Sequence, residues 1–203
     1  MSGADNKSIQ NTLQYYDKNA KDFIGNTVSV DFTVTQTRFL LKLKKGSYIL
    51  DFGCGSGRDT KYFLNQGYQV TATDGSVELC KLASEYTGIA VKHMMFQELD
   101  EEEVYDGIWA CSSILHLPFT DLKEVFHRIR TALKKDGILY TSFKYGDYEG
   151  ERNGRYFTDM TEDKLSDFLK GIVGLELEEQ WVTSDVRPGR GDEKWLNIIL
   201  RKK

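Results

Sequence analysis

The residues best suited to chemistry lie in one short stretch, Asp51-Phe52-Gly53-Cys54-Gly55-Ser56-Gly57-Arg58. Glycine at every second position permits a tight turn and lets a ligand press against bare backbone. A helix beginning just after it would add unpaired N–H groups at its first turn. Such loops serve many nucleotides, and some are bare turns. Two acids narrow the choice. Asp51 stands directly before the glycines. Asp74 lies near the offset of ~20 residues at which nucleotide-binding folds hold a ribose diol, a task suited to a carboxylate that can accept two hydroxyl hydrogen bonds. Asp74 as a plain helix-capping acid is the alternative. The pattern is GxGxG rather than GxGxxG, which argues against a nicotinamide-dependent oxidoreductase. Farther along, His116 suits a general base, since the ordinary imidazole pKa is about 6.5, or else it bonds a loop backbone and shapes a pocket. Arg152 and Arg155 sit in one glycine-containing loop, Arg187 and Arg190 in a second near Trp181 and Trp195, and guanidinium forks suit carboxylate or phosphate.

These side chains need elements to hold them. Residues 1–45 carry two apolar stripes at helical spacing, Ile9, Leu13, Tyr16, Ala20 and Phe23, then Phe32 to Leu43. From Tyr48 the pattern alternates. Strands are expected at Tyr48–Asp51, Tyr68–Thr73, Ala90–Met94, Tyr105–Cys111 and Ile138–Phe143. Helices are expected at Arg58–Gln66, Val77–Tyr86 with Ser76 as N-cap, Asp121–Leu133, and from Thr161 to Lys170. Two more strands, Leu175–Val182 and Trp195–Arg201, have no helix between them and should pair antiparallel. Pro118 and Pro188 fall in loops. Alternating strands and helices imply a parallel sheet with right-handed crossovers. The ligand crevice then lies beyond the strands' C-terminal ends, where Ser112, Ser113, His116, Leu117, Lys144, Tyr145 and the loop to Phe157 would face an acceptor.

The chain has 203 residues, 40% of them hydrophobic, enough for one ordinary domain with its own core. No apolar run is long enough to span a bilayer. The first residues are polar with no export h-region, so a cytoplasmic protein is expected. Three cysteines without CxxC spacing argue against a disulfide framework or a zinc site. A net charge of -4 provides no bulk attraction to phosphate backbones, so nucleic acid is not signalled as a partner.

In residues 48–59 (YILDFGCGSGRD), 70–76 (VTATDGS), 112–118 (SSILHLP) and 133–144 (LKKDGILYTSFK), the chain resembles the class I S-adenosylmethionine-dependent methyltransferases. Within them it is similar to the small bacterial methyltransferase-domain and tellurite-resistance-like group. The resemblance covers residues 10–203. It implies an α/β Rossmann-like fold: a seven-stranded, mostly parallel sheet with an antiparallel terminal hairpin and helices on both faces. Residues 1–45 would form a helical lid over a domain at 46–203. It implies S-adenosyl-L-methionine as cofactor and S-adenosyl-L-homocysteine as product. Gly53, Gly55 and Gly57, with Cys54 and Arg58, would approach the methionine portion, and the backbone of Asp51 or Gly53 its amino group. Asp74 would hold the ribose, Gly75 and Ser76 would lie beside the adenine, and Phe96 and Gln97 would meet the adenine edge. Cys111 would line the methyl-donor pocket. The segment from Tyr16 to Phe23 resembles a Y-D-x-x-A-x-x-Y/F lid element, in which Tyr15 or Tyr16 would touch the cofactor carboxylate or the acceptor; core packing of both tyrosines is the alternative.

The reaction expected is direct methyl transfer to a small polar or anionic acceptor. His116 and Tyr16 are the catalytic candidates, and Ser112, Lys144, Tyr145, Arg155 and Arg187 the acceptor contacts. No [DNS]-P-P-[YFW] tetrad follows strand four and no Pro-Cys nucleophile occurs, which argues against base methylation. A macromolecular acceptor (RNA or protein) and a non-catalytic cofactor-binding regulator remain the alternatives. A monomer or homodimer is expected.

Overall fold

The computed structural model describes the backbone of residues 3–203 and side chains from Lys7 onward. Its elements, in chain order, are α1 (Gly3–Thr27), α2 (Thr33–Leu40), β1 (Tyr48–Phe52), α3 (Arg58–Asn65), β2 (Gln69–Asp74), α4 (Val77–Thr87), β3 (Val91–His93), β4 (Tyr105–Ala110), α5 (Phe119–Ala132), β5 (Leu133–Lys144), β6 (Glu149–Arg152), β7 (Arg155–Thr158), α6 (Glu162–Leu169), β8 (Leu175–Ser184) and β9 (Lys194–Lys202). The main sheet runs β3-β2-β1-β4-β5-β9-β8. The first five strands are parallel, and β9 pairs antiparallel with both β5 and β8. This is the fold read from the sequence. The apolar runs of β1 and β4 are buried on both faces, as central parallel strands must be.

Two cores result. On one face Phe39 of α2 and Phe63 of α3 meet Trp109, which stacks on Tyr140 at 4.0 Å between ring centroids. On the other, α5 and α6 bury Leu122, Phe126, Leu165 and Phe168. Local signals set the helix ends. Ser76 Oγ accepts from the Leu79 N–H and Thr161 Oγ1 from the Lys164 N–H, capping α4 and α6.

The N-terminal stripe forms α1, which bends at Asn19 (φ -112°, ψ 16°), where the side-chain amide donates to the Tyr15 carbonyl. The segment read as a loop after β5 is instead a hairpin, β6–β7, which forms a separate two-stranded sheet. Its turn, Asn153-Gly154, has positive φ at both residues, the arrangement that Asn-Gly favours between two short strands.

Candidate active site

The strand order reverses between β1 and β4, and at such a switch point the loops diverge and leave a crevice. A cavity of about 470 Å³ occupies it. Its floor is the glycine loop after β1, the end of β2 and the Cys111–Ser113 segment after β4. Its roof is α1, through Ile9, Thr12, Leu13, Tyr16 and Phe23. The far wall comes from Lys144, from the β6–β7 hairpin and from the β8–β9 loop. Because β9 runs antiparallel, its first residues reach the same edge as the last residues of β5.

Gly53 has φ 83°, and a Cβ there would lie 2.5 Å from Ser113 Cβ, so the two loops touch only because position 53 has no side chain. Gly57 serves another purpose. A Cβ there would meet Thr87 Cγ2 at 2.7 Å, so this glycine lets α3 approach α4 and does not line the cavity. Asp51 also lies outside the cavity lining; it is buried, accepts from Thr60 Oγ1 at 2.5 Å, and burial with the nearby Asp59 charge pushes its carboxyl up. Ser76 caps α4 behind the wall, and its hydroxyl donates to Asp17 Oδ1 at 2.6 Å.

Asp74 lies on the cavity wall with its carboxylate held by backbone. Gly55 N–H donates to Oδ2 and Ser76 N–H to Oδ1, each at 2.9 Å. Burial raises its pKa, and these two donors act against that rise. A carboxylate offers about four lone-pair sites, so these backbone donors do not exhaust it and acceptor capacity remains for a ligand. Phe96 packs edge-on to Phe52 at 4.8 Å, and Gln97 lines the cavity with a buried side-chain amide nitrogen that has no partner. Arg58 also lines it, but its guanidinium grips Asp59 through Nε at 2.8 Å and Nη2 at 2.9 Å. Burial opposes the Asp59 charge, yet Arg58, Trp109 and Gln36 outweigh it and hold the pKa below the usual range. Burial pushes the Cys111 thiol up to about 12, which leaves it inert as a nucleophile at neutral pH.

Around the roof, His116 Nδ1 is 2.6 Å from the Tyr156 carbonyl and Nε2 is 2.8 Å from the Tyr16 hydroxyl. A carbonyl only accepts, so Nδ1 carries the proton and Nε2 accepts from Tyr16. Burial, reinforced by Arg155, drives the His116 pKa down to about 4, against the pull of the Tyr156 bond. His116 is thus a neutral ring at pH 7, with its one basic lone pair already used. Burial raises the Tyr16 pKa. Tyr15 stays off the cavity wall, with the Arg155 guanidinium 4.5 Å from its ring centroid.

On the far wall, Lys144 is paired with Glu193, Arg152 with Asp159, and Arg187 with Asp185 by a two-point contact. Ser112, at φ 52°, donates its N–H to Ser142 Oγ and lines the cavity. Tyr145 does not reach it. Successive residues of an extended chain point to opposite faces, and its hydroxyl donates outside to Glu162 at 2.7 Å. Sequence reasoning missed the carboxylates Asp185 and Glu193 as partners of these cations, although both sit in a loop it had marked. It also missed Asp17 as the anchor of α1, although Asp17 belongs to the quoted lid element.

Residues 49–137 match the family model of a methyltransferase domain. Among solved structures, the Burkholderia thailandensis 1,6-didemethyltoxoflavin-N1-methyltransferase with bound 1,6-didemethyltoxoflavin and S-adenosylhomocysteine superposes with a TM-score of 0.79, at 23% identity over 100% of this chain and 91% of that one. A TehB-like methyltransferase from Corynebacterium glutamicum gives 0.66, at 22% identity over 94% and 97%. The [4+2]-cyclase SpnF gives 0.73, at 16% identity over 96% of each. Among curated relatives, an uncharacterized methyltransferase of Anoxybacillus flavithermus is 23% identical over 84% of this chain and 81% of its own length. The chain spans only 30% and 49% of two uncharacterized Methanocaldococcus jannaschii proteins that are 28% and 27% identical to it. The chain shares its fold with solved S-adenosylmethionine-dependent methyltransferases, and its residues 49–137 match a methyltransferase domain.

Proposed function

We propose that the protein is an S-adenosylmethionine-dependent methyltransferase acting on a small polar or anionic acceptor. The observation that carries the reading is Asp74, fixed on the cavity wall by backbone donors with acceptor capacity left on its carboxylate. The unpartnered Gln97 amide nearby fits a heterocycle edge, since a buried polar atom without a partner is costly. Asp74 holds the ribose hydroxyls, Gln97 the base edge, and the loop at Gly53 and Gly55 the amino-acid portion. When bound, the cofactor supplies an electrophilic methyl group on sulfur.

The chain's residues do the rest. Helix α1 covers the crevice and excludes water, held down by Asp17 on Ser76 and by the Thr12 hydroxyl, which accepts from Tyr156 N–H at 2.9 Å. His116 acts as a positioning residue: bonded to Tyr156, it fixes the direction of the Tyr16 O–H. The Tyr16 oxygen keeps an accepting lone pair for an acceptor N–H or O–H. Alignment of the acceptor with the methyl group is the chain's contribution to the transfer. The enclosure by α1 and the hairpin favours a small molecule over RNA or a protein chain.

A transfer assay separates these acceptors. With methyl-labelled cofactor and a fractionated cell extract, the label is expected in the small-molecule fraction. Label confined to RNA or protein would overturn the small-acceptor reading.

A further inference from the structure

The far wall of the cavity carries five cations, Lys144, Arg152, Arg155, Arg187 and Arg190. Lys144, Arg152 and Arg187 each have a carboxylate. Arg190 shares Glu193 at the solvent-facing rim, with 43% of its side chain exposed, where water screens it. Arg155 has no carboxylate partner among the described residues. Its one hydrogen bond to a side chain is a 3.5 Å contact from Nη1 to the Tyr16 hydroxyl, and its Nε is buried with no acceptor. The guanidinium lies among aromatic rings, 4.5 Å from the Tyr15 centroid, 5.2 Å from Phe157 and 5.7 Å from Tyr16. Rings hold a guanidinium in place without neutralising it. A half-buried, oriented and uncompensated cation with unused donors is a binding site for an anion.

Resting on the methyltransferase reading, we propose that Arg155 is the specificity-determining anchor of the acceptor, and that the acceptor is a monoanionic aromatic carboxylate. One uncompensated guanidinium matches one negative charge, so a carboxylate monoanion is balanced there while a phosphate dianion would leave a second charge unpaired. Trp195 and Phe157, whose ring centroids lie 5.1 Å and 6.0 Å from the Lys144 ammonium, provide the apolar wall for a ring. The hydrogen bond from His116 to Tyr156 ties Arg155 into the same hairpin, so the anchor and the Tyr16 hydroxyl are fixed relative to each other.

Benzoate is the probe, with benzamide as its uncharged isostere and phenyl phosphate as the dianion. Each is titrated by calorimetry into protein saturated with S-adenosylhomocysteine. Benzoate is expected to bind at least ten-fold tighter than benzamide and tighter than phenyl phosphate. Arg155→Gln should abolish that preference, and Arg155→Lys should restore part of it. Benzamide binding as tightly as benzoate, phenyl phosphate binding tighter, or no benzoate binding would overturn the proposal. The two wild-type isostere titrations decide it even if Arg155→Gln fails to fold. Failure of S-adenosylhomocysteine to bind would strike the cofactor reading instead, and benzoate is then judged by the same criterion on the unliganded protein.

Discussion

At the scale of single residues, the site depends on side chains whose protonation is set by burial and by one neighbour. His116 shows this most clearly. Its pKa falls from an ordinary 6.5 to about 4, with Tyr16 of α1 and Arg155 of β7 facing it. Above pH 6.5 the ring is neutral folded or unfolded, and the shift has no effect on stability. As the pH drops from 6.5 towards 4, the unfolded chain takes a proton that the folded one refuses, so stability is lost through that window. Thermal unfolding of wild type should therefore show a larger fall in Tm between pH 7 and pH 4 than His116→Gln, the comparison cancelling the other titrating groups. Equal falls would contradict the assignment. Asp74 and the glycines were legible in the sequence because their chemistry depends on short-range spacing. The occupation of His116 Nε2 was not, since its partner lies 100 residues away on another element.

At the scale of elements, the sheet and its helices followed from apolar periodicity, caps and glycines, each a local signal. The hairpin β6–β7 was read as a loop because Glu149 to Phe157 is too polar to show a strand pattern. Only its Asn153-Gly154 turn pointed to strands. Helix α1 was legible as a helix, but its seat was not. Asp17 accepts from Ser76 Oγ at 2.6 Å, so Ser76 both caps α4 and anchors the roof of the cavity. Ser76→Ala should destabilise the protein by about 1 kcal/mol through the lost cap, read from denaturant midpoints. It should also speed hydrogen exchange in the middle of α1. Unchanged exchange in α1 would show that the helix is held by packing alone.

At the scale of the whole molecule, function comes from topology. One reversal of strand order gathers the ends of β1, β2, β4 and β5, together with the start of β9, on one rim, and α1 closes over them. The acidic composition gave no hint of an anion site, because net charge averages over a surface on which one interior cation can dominate locally. Asp74 joins the cavity to the cofactor reading, so it is the group to test. Calorimetric titration of wild type and Asp74→Ala with S-adenosylmethionine and S-adenosylhomocysteine is the direct measurement. Micromolar binding that weakens at least ten-fold in the variant, about 1.4 kcal/mol, is the predicted result. Folded protein that binds neither ligand, or a variant that binds both as tightly as wild type, would contradict it.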